Sequence, residues 1–324
     1  RSFTFFKFAA GSVRCAMREK YDVAFATTTP LTAGIPGIFA KWIRRKPFVF
    51  EVRDLWPELP REMGVITNPF VLLFLSALEW SAYRSAERCV ALSPGIADGI
   101  ARRGVCRTKI AMVPNGCDFK VFSNERDTIG TRPDGVASED LMAIYTGTHG
   151  QANGLHAVLD AARELKSRDR EDIKLVLIGD GKMKLQLQRD ALAHGLDNVI
   201  FHERVNKSEL ASLMANADIG IQCLANVPAF YFGTSPNKFF DYIACGLPVL
   251  NNYPGWLAKL VIDNACGYAI PPEDPDAFAD ALEAAADDRE NLFNMGVRAR
   301  NLAQTDFDRQ SLAEQWVAWV TADV

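Results

Sequence analysis

Leu141-Met-Ala-Ile-Tyr-Thr146, Gly147-Thr-His-Gly-Gln-Ala-Asn-Gly154 and Ile173-Lys-Leu-Val-Leu-Ile178 decide the fold of this chain. The first and last are largely apolar runs of strand length, the last interrupted only by Lys174. The middle one is a glycine-rich turn opening a segment of helical period, Gly154 to Arg168. Strand, turn, helix and strand in that order make a parallel unit whose crossover helix covers the sheet. Working outward, the same alternation recurs along most of the chain. Strands are expected at Asp22 to Thr29, Phe48 to Arg53, Cys89 to Ser93 and Lys109 to Pro114, then at Asn198 to His202, Ala217 to Leu224, Pro248 to Asn252 and Cys266 to Ile270. Helices are expected at Pro69 to Ser85, Ser208 to Asn216, Ser235 to Ala244 and Asp276 to Asp287. The fold class is α/β, with two doubly wound domains facing a cleft, because such sheets bind ligands outside the carboxyl ends of their strands.

A length of 324 residues suits two domains, each large enough to bury a core. Polar turn residues gather between Asn115 and Ser138, including Asn115-Gly116, Gly130 and Arg132-Pro-Asp-Gly135. The expected division is a first domain over 1–118, a linker over 119–138, a second domain over 139–304 and a C-terminal helix over 305–324. That helix carries Trp316 and Trp319 at i, i+3 and should pack on a neighbour.

Hydrophobic residues at 48% and charged residues at 23% exclude a disordered, collagenous or disulfide-scaffold chain. The net charge of −4 conceals two unlike halves. Residues 1–118 hold 17 Lys and Arg against 10 Asp and Glu, or +7, while residues 119–324 hold 19 against 30, or −11. The basic half should face something anionic. The seven cysteines lack CxxC spacing, and the dispersed histidines, His149 and His156 included, have no partners that complete a ligand set, so neither a disulfide framework nor a metal site is expected. The longest apolar run, Pro69 to Leu78, is too short to span a bilayer. A reducing cytoplasm is the simplest home. Phe3, Phe5, Phe6 and Phe8 with Lys7, Arg14, Arg18 and Lys20 suit an interfacial helix over residues 1–20, and Lys41-Trp-Ile-Arg-Arg-Lys46 adds a second basic cluster. The same helix also suits packing into its own core. Nucleic acid fits less well, since the aromatics do not interleave with basic residues on a strand platform.

The richest candidate site is Phe232-Gly-Thr-Ser-Pro-Asn-Lys-Phe-Phe-Asp241. Ser235 reads as an N-cap and Pro236 as the first helical residue, leaving backbone N–H groups from Thr234 to Asn237 for an anion. Lys238 in the first turn opposes its own helix dipole, which a bound phosphate would offset. Asp241, three residues on, can accept from ligand hydroxyls. A capped surface helix with solvated charges has the same pattern. In the turn after the strand Leu141 to Thr146, Gly147, Thr148, His149, Gly150 and Asn153 let the backbone approach a phosphate, although GxGxxG and a Walker lysine are both missing. Gly179-Asp180-Gly181 repeats the device weakly. In the first half, Arg53, Asp54, Trp56 and Glu58 form a polar wall at a strand's carboxyl end. Asp54 is the acid or base candidate, and a structural salt bridge with Arg53 would look the same.

Taken together, Cys89-Val-Ala-Leu-Ser-Pro94, Lys109-Ile-Ala-Met-Val-Pro-Asn-Gly-Cys-Asp118, Tyr145-Thr-Gly-Thr-His-Gly-Gln-Ala-Asn-Gly-Leu155 and Ser235-Pro-Asn-Lys-Phe-Phe-Asp-Tyr-Ile-Ala-Cys-Gly-Leu-Pro-Val249 resemble the glycosyltransferase family 4 enzymes of the GT-B fold, two Rossmann-like domains. Arg53-Asp-Leu-Trp-Pro57 and the Thr-Ser-Pro-Asn-Lys238 run are most similar to bacterial surface-polysaccharide enzymes of the L-fucosamine transferase type. The resemblance implies transfer of a sugar, with retention and without a required metal or other cofactor, from a nucleotide-diphosphate donor in the second domain to a lipid-linked or polysaccharide acceptor in the first. It implies that Asp241 is the ribose-binding second acid of an E-x7-E pair whose first position is Gly233. It further implies that the family's Arg and Lys fall at Thr148 and Asn153, that Lys238 substitutes for them, and that Asp54 stands in a His-Asp pair with Arg53 replacing the histidine. The family's first strand is not recognisable before Arg1, so the first domain is expected to be incomplete. Two alternatives stay open: a nucleotide-sugar epimerase of the same architecture, and an inactive nucleotide-sugar binding module.

Overall fold

In the computed structural model, which describes residues 2–122 and 132–322, each of the ten expected strands is present, several of them shorter than expected. They are β1 (Ala24–Thr27), β2 (Phe48–Val52), β3 (Arg88–Ala91), β4 (Ile110–Met112), β5 (Leu141–Thr146), β6 (Ile173–Ile178), β7 (Val199–His202), β8 (Ile219–Gln222), β9 (Val249–Asn251) and β10 (Gly267–Ala269). The helices up to β5 are α1 (Ser2–Arg18), α2 (Ile35–Trp42), α3 (Glu58–Glu62), α4 (Pro69–Ser85) and α5 (Pro94–Arg102). Beyond it come α6 (His156–Ser167), α7 (Lys184–Ala193), α8 (Lys207–Ala215), α9 (Pro228–Gly233), α10 (Asn237–Ala244), α11 (Trp256–Asp263), α12 (Pro275–Asp287), α13 (Arg289–Asp306) and α14 (Arg309–Thr321). Residues 123–131 of the expected linker, Gly130 included, lie outside the described residues, as do the side chains of Phe3 and Phe6.

Two compact units form, and neither is a continuous stretch of chain. The first comprises Arg1–Asn115, Val227–Ser235 and Gln310–Val324; the second comprises Gly116–Asn226 and Pro236–Arg309. This corrects two expected boundaries. The stretch 139–304 is interrupted, because Val227–Ser235 packs into the first unit, where Phe232 O accepts from Ser93 Oγ at 3.0 Å and Ser235 O accepts from Asn115 Nδ2. The boundary after the first domain also falls earlier than expected, since Gly116 to Phe122 already belong to the second unit, with Phe122 1% exposed.

The first unit holds the parallel sheet β1-β2-β3-β4. The alternation of β2 sorts its side chains onto two faces. Phe48, Phe50 and Val52 meet Leu31, Leu75, Ala82, Tyr83, Ile96 and Ile100 on one face. Val49 and Val90 meet Leu312, Val320, Trp316 and Trp319 on the other. The C-terminal helix therefore has the neighbour its tryptophans called for: Trp319 Nε1 donates to Cys89 O at 3.2 Å, and Trp316 stacks edge-on with Phe25 at 4.9 Å.

The second unit holds the parallel sheet β10-β9-β8-β5-β6-β7, in which β5 and β6 pair over their full lengths. Every residue of β5 is buried, as an apolar run in a doubly covered sheet requires. The strand order reverses between β5 and β8, and at such a point the loops diverge and open a crevice. Those are the loops following Thr146 and Gln222.

Candidate active site

At the carboxyl edge of the second sheet the β5 and β6 strands end in two glycine turns that lie against each other. Gly147 N donates to Ile178 O at 3.0 Å and His149 N to Asp180 O at 2.9 Å, extending the ladder past both strands. Gly179, at φ +141°, has no room for a side chain, because a Cβ there would sit 1.9 Å from Gly147 O. Between the turns lies a cavity of about 370 Å³ lined by Thr146, Gly147, Thr148, Ile178, Gly179, Asp180, Gly181, Arg204, Val205 and Leu210. Two of the loop's backbone donors are already used within the ladder. The expectation that the whole Gly147 to Gly150 turn cradles a phosphate is corrected to that extent.

Lys238 sits beside this loop. Its Nζ lies 3.9 Å from the centroid of the Tyr145 ring and 3.4 Å from Asn153 Oδ1. Tyr145 holds the shelf in place by donating its hydroxyl to Thr148 O at 2.9 Å. The helix bearing Lys238 is anchored through Tyr242, whose hydroxyl accepts from Thr146 N at 2.9 Å and lies against Gly220, where a Cβ would meet the ring at 2.5 Å. Burial without a carboxylate partner pushes the Lys238 ammonium down to about 7, the nearby Cys223 opposing it weakly. An ammonium held this way favours an incoming anion.

Asp241 is also desolvated, and its carboxyl is pushed up to about 6, with Lys207 and Arg309 pulling it down and Asp118 pushing it up. It is not among the charges acting on Lys238. The two side chains therefore serve different surroundings, despite the three-residue spacing.

The start of α10 differs from expectation. Asn237 is the first helical residue and Pro236 occupies the N-cap, with no side-chain cap bond. Ser235 does not cap the helix, because its hydroxyl accepts from Asn115 N at 3.3 Å within the first unit. Gly233, Thr234 and Ser235 belong to that unit as well, and Thr234 Oγ1 donates to Phe230 O at 3.0 Å.

His149 is fully buried, its ring packed near Tyr145 and Phe201, and neither ring nitrogen has a hydrogen-bond partner. It is not among the residues lining the cavity beside its loop. Desolvation, followed by the Lys184 charge, pushes the imidazole down to about 4. The unfolded chain takes up a proton near pH 6.5 that the folded chain refuses. Stability is thus complete above pH 6.5 and is lost as pH falls from there toward 4, by roughly 3 kcal/mol. His149→Leu should match or exceed the wild type in chemical denaturation at pH 7 and lose much of that acid sensitivity, because it removes a polar group buried without partners. A folded variant unable to bind nucleotide would instead mean that the ring turns outward.

In the first unit, Asp54 accepts from Thr29 Oγ1 at 2.8 Å, while Arg53 N donates to Thr28 Oγ1 at 2.8 Å. The Arg53 guanidinium lies 3.9 Å from Glu51, so Asp54 is held by a threonine and not by its neighbour. Asp54 and Glu58 line a cavity of about 180 Å³ together with Leu55, Glu62, Arg102 and the inserted residues Phe230, Phe232, Gly233 and Thr234. Trp56 packs against the sheet's core. Gly95 permits the insertion, since a Cβ there would lie 2.1 Å from Phe232 O.

Sequence reasoning missed Arg204, in the loop after β7, and Arg102, the last residue of α5, neither of them marked by a pattern of its own. Among the described residues no group of three or more His, Cys, Asp or Glu is placed to hold a metal ion.

With this geometry in hand, the class of protein follows from its relatives. Residues 131–302 match the model of the glycosyl transferases group 1 and residues 2–116 that of the glycosyl transferase 4-like domain. The first match alone exceeds half the chain, and the chain belongs to the group 1 glycosyltransferases. Among particular relatives, it is 29% identical over 232 residues to a D-inositol 3-phosphate glycosyltransferase of Paenarthrobacter aurescens, covering 68% of this chain and 54% of that protein. It is 23% identical over 277 residues to the putative colanic acid biosynthesis glycosyltransferase WcaL of Escherichia coli, covering 81% and 66%. The chain thus spans about half to two thirds of the length of these relatives. In fold it is similar to Anabaena HepE, solved in complex with UDP, at a TM-score of 0.75 and 20% identity over 97% of this chain and 82% of that one. It is also similar to WaaG, a glycosyltransferase involved in lipopolysaccharide biosynthesis, at 0.68 and 16% over 98% and 95%. The two parallel sheets are those of the GT-B architecture.

Proposed function

We propose that this protein is a retaining, metal-independent glycosyltransferase that moves a sugar from a nucleotide-diphosphate donor to a lipid-linked or polysaccharide acceptor in cell-surface glycan synthesis. The observation that carries this reading is Lys238, a desolvated ammonium on the Tyr145 ring beside Asn153 and Gly147, residues of the loop whose Gly147 and Thr148 line the cavity between the two glycine turns. As the glycosidic bond breaks, negative charge grows on the leaving diphosphate, and a fixed cation in a low-dielectric site stabilises that charge more than it stabilises the intact donor. Thr148 and Arg204 border the same cavity, and Asp241 is the candidate for the ribose hydroxyls. In the first unit, Asp54, Glu58 and Arg102 line the smaller cavity and are assigned to the acceptor. The donor is read as a UDP-linked amino sugar because of Arg53-Asp-Leu-Trp-Pro57 and the Thr-Ser-Pro-Asn-Lys238 run. The HepE complexes with UDP and with UDP-glucose concern that protein, and they make uridine nucleotides the first donors to try. A place at the inner face of the plasma membrane suits a lipid-linked acceptor and the basic stretches 1–20 and 41–46.

The test is incubation with UDP-N-acetylglucosamine, with and without candidate acceptors, followed by NMR of the anomeric proton. Transfer with the donor's anomeric configuration supports the proposal. An epimer formed from donor alone would establish the epimerase alternative, and calorimetric UDP binding without turnover on any acceptor would establish the binding module.

A pH signature accompanies donor binding. Burial lowers the Lys238 ammonium to about 7 and a bound diphosphate holds it protonated, so binding takes up a fraction of a proton near neutral pH. UDP affinity should weaken by up to about tenfold per pH unit above 7. Calorimetry in two buffers of unlike ionisation enthalpy reads the uptake directly, and zero uptake at pH 7 would remove Lys238 from the diphosphate.

A further inference from the structure

Helix α4 is apolar on both sides. Its inward positions, Leu75, Leu78, Ala82 and Tyr83, pack on the core of the first unit, with Glu79 buried beside them and paired to Arg103 at 2.8 Å. Its outward positions are Phe70, Leu73, Phe74, Ala77 and Trp80, which share one arc of the helix at about 100° per residue. Phe70 is 81% exposed, Leu73 70%, Phe74 52% and Trp80 56%. An amphipathic surface helix would place polar residues there. No acidic residue occupies this outer arc, and Arg84 closes it.

The neighbouring helices carry the complementary feature. Helix α2 packs on α4, where Trp42 Nε1 donates to Ser85 Oγ at 2.8 Å, and α1 packs on α2, where Arg44 donates to Met17 O at 2.7 Å. Trp42 is 64% and Ile43 57% exposed, set between Lys41 and the Arg44-Arg45-Lys46 run. On α1 and just beyond it, Lys7, Arg14, Arg18 and Lys20 are exposed, with Phe8 at 60% between the first two. Exposed apolar side chains on α4 and α2, with exposed cations on the neighbouring α1 and at Arg45, match the chemistry of an anionic bilayer interface.

We propose that α1, α2 and α4 form a membrane-docking layer in which the outer face of α4 enters the boundary between headgroups and acyl chains of an anionic bilayer, while Arg14, Arg18 and Lys20 of the α1 segment with Arg45 and Lys46 contact the headgroups. Lys41 is paired with Glu87, and Arg44 is held by the carbonyls of Ala16, Met17 and Glu19. Among the described residues no helix is long and apolar enough to cross a membrane, so the contact is interfacial. This assignment does not rest on glycosyl transfer and is tested without it.

The experiment is co-sedimentation of the whole protein with vesicles of pure phosphatidylcholine and with an equimolar mixture of phosphatidylcholine and phosphatidylglycerol, at low and high salt. The expected result is binding to the mixed vesicles that weakens with salt and exceeds binding to the neutral ones. The combined Phe70→Ser, Leu73→Ser and Phe74→Ser variant should lose about tenfold or more in partitioning, with its melting temperature and circular dichroism unchanged, because these side chains are exposed. Arg45→Glu with Lys46→Glu should weaken the preference for anionic vesicles several-fold. Equal binding to both compositions, absence of binding, or wild-type partitioning by the folded triple variant would overturn the proposal. So would a wild-type dimer in light scattering that the triple variant dissociates, which would assign the face to a second copy.

Discussion

Lys238→Ala is expected to lower donor turnover by a factor on the order of 10² or more while leaving the fold as stable as before. The two halves of this expectation have one physical origin. Among the described residues no carboxylate acts on the ammonium; it rests on the Tyr145 ring and makes one long contact to Asn153. Such a group costs the fold desolvation energy that only a ligand offsets. Removing it therefore costs little in the free protein and a great deal when charge develops on the leaving diphosphate. Thermal unfolding and the rate of UDP release from a nucleotide sugar, measured on the same preparation, separate the effects. An unchanged rate would sink the assignment of Lys238. A collapse in stability would show the lysine to be structural.

Gly179→Ala should be the most damaging single-methyl change at the site. At φ +141° an L side chain is strained, and the new Cβ would sit 1.9 Å from Gly147 O, a backbone atom that moves only if the turn does. Relief requires the two turns to part. The bonds from Gly147 N to Ile178 O and from His149 N to Asp180 O would break, and the cavity between them would lose its shape. The expected cost is about 3 kcal/mol or more, a fall in melting temperature of roughly 10 °C, with UDP binding lost. Gly11→Ala is the control: it stands on an exposed helical face with nothing within 4 Å, and it should be neutral or slightly stabilising. A Gly179→Ala protein as stable as the Gly11→Ala one would contradict the packing of the two turns.

Much of the architecture was legible in the chain. The runs at Leu141 to Thr146 and Ile173 to Ile178 coincide with β5 and β6 residue for residue, because a strand covered on both faces is nearly continuously apolar, Lys174 in β6 being the half-buried exception. Asn68 followed by Pro69 sets the start of α4, where Asn68 Oδ1 accepts from Phe70 N at 2.9 Å. The same local grammar misled at Ser235-Pro236. A serine before a proline is a good cap in isolation, yet here its hydroxyl is taken by Asn115, 120 residues away. Asp54 and Lys238 were legible as residues, but their partners were not, since Thr29 and Tyr145 carry no sequence mark of their roles.

The sequence by itself determined the parallel α/β order, the two glycine turns and a lysine in the first turn of a helix, because strand burial, φ freedom and charge are properties of residue type and short-range spacing. Only the tertiary structure decided that Val227–Ser235 builds the first unit, that His149 is buried behind its loop, that Arg204 joins the cavity, and that α4 keeps an apolar face outward. Each of those depends on which desolvated surface meets which neighbour across a long separation in the chain, and that competition is settled by packing and charge in three dimensions.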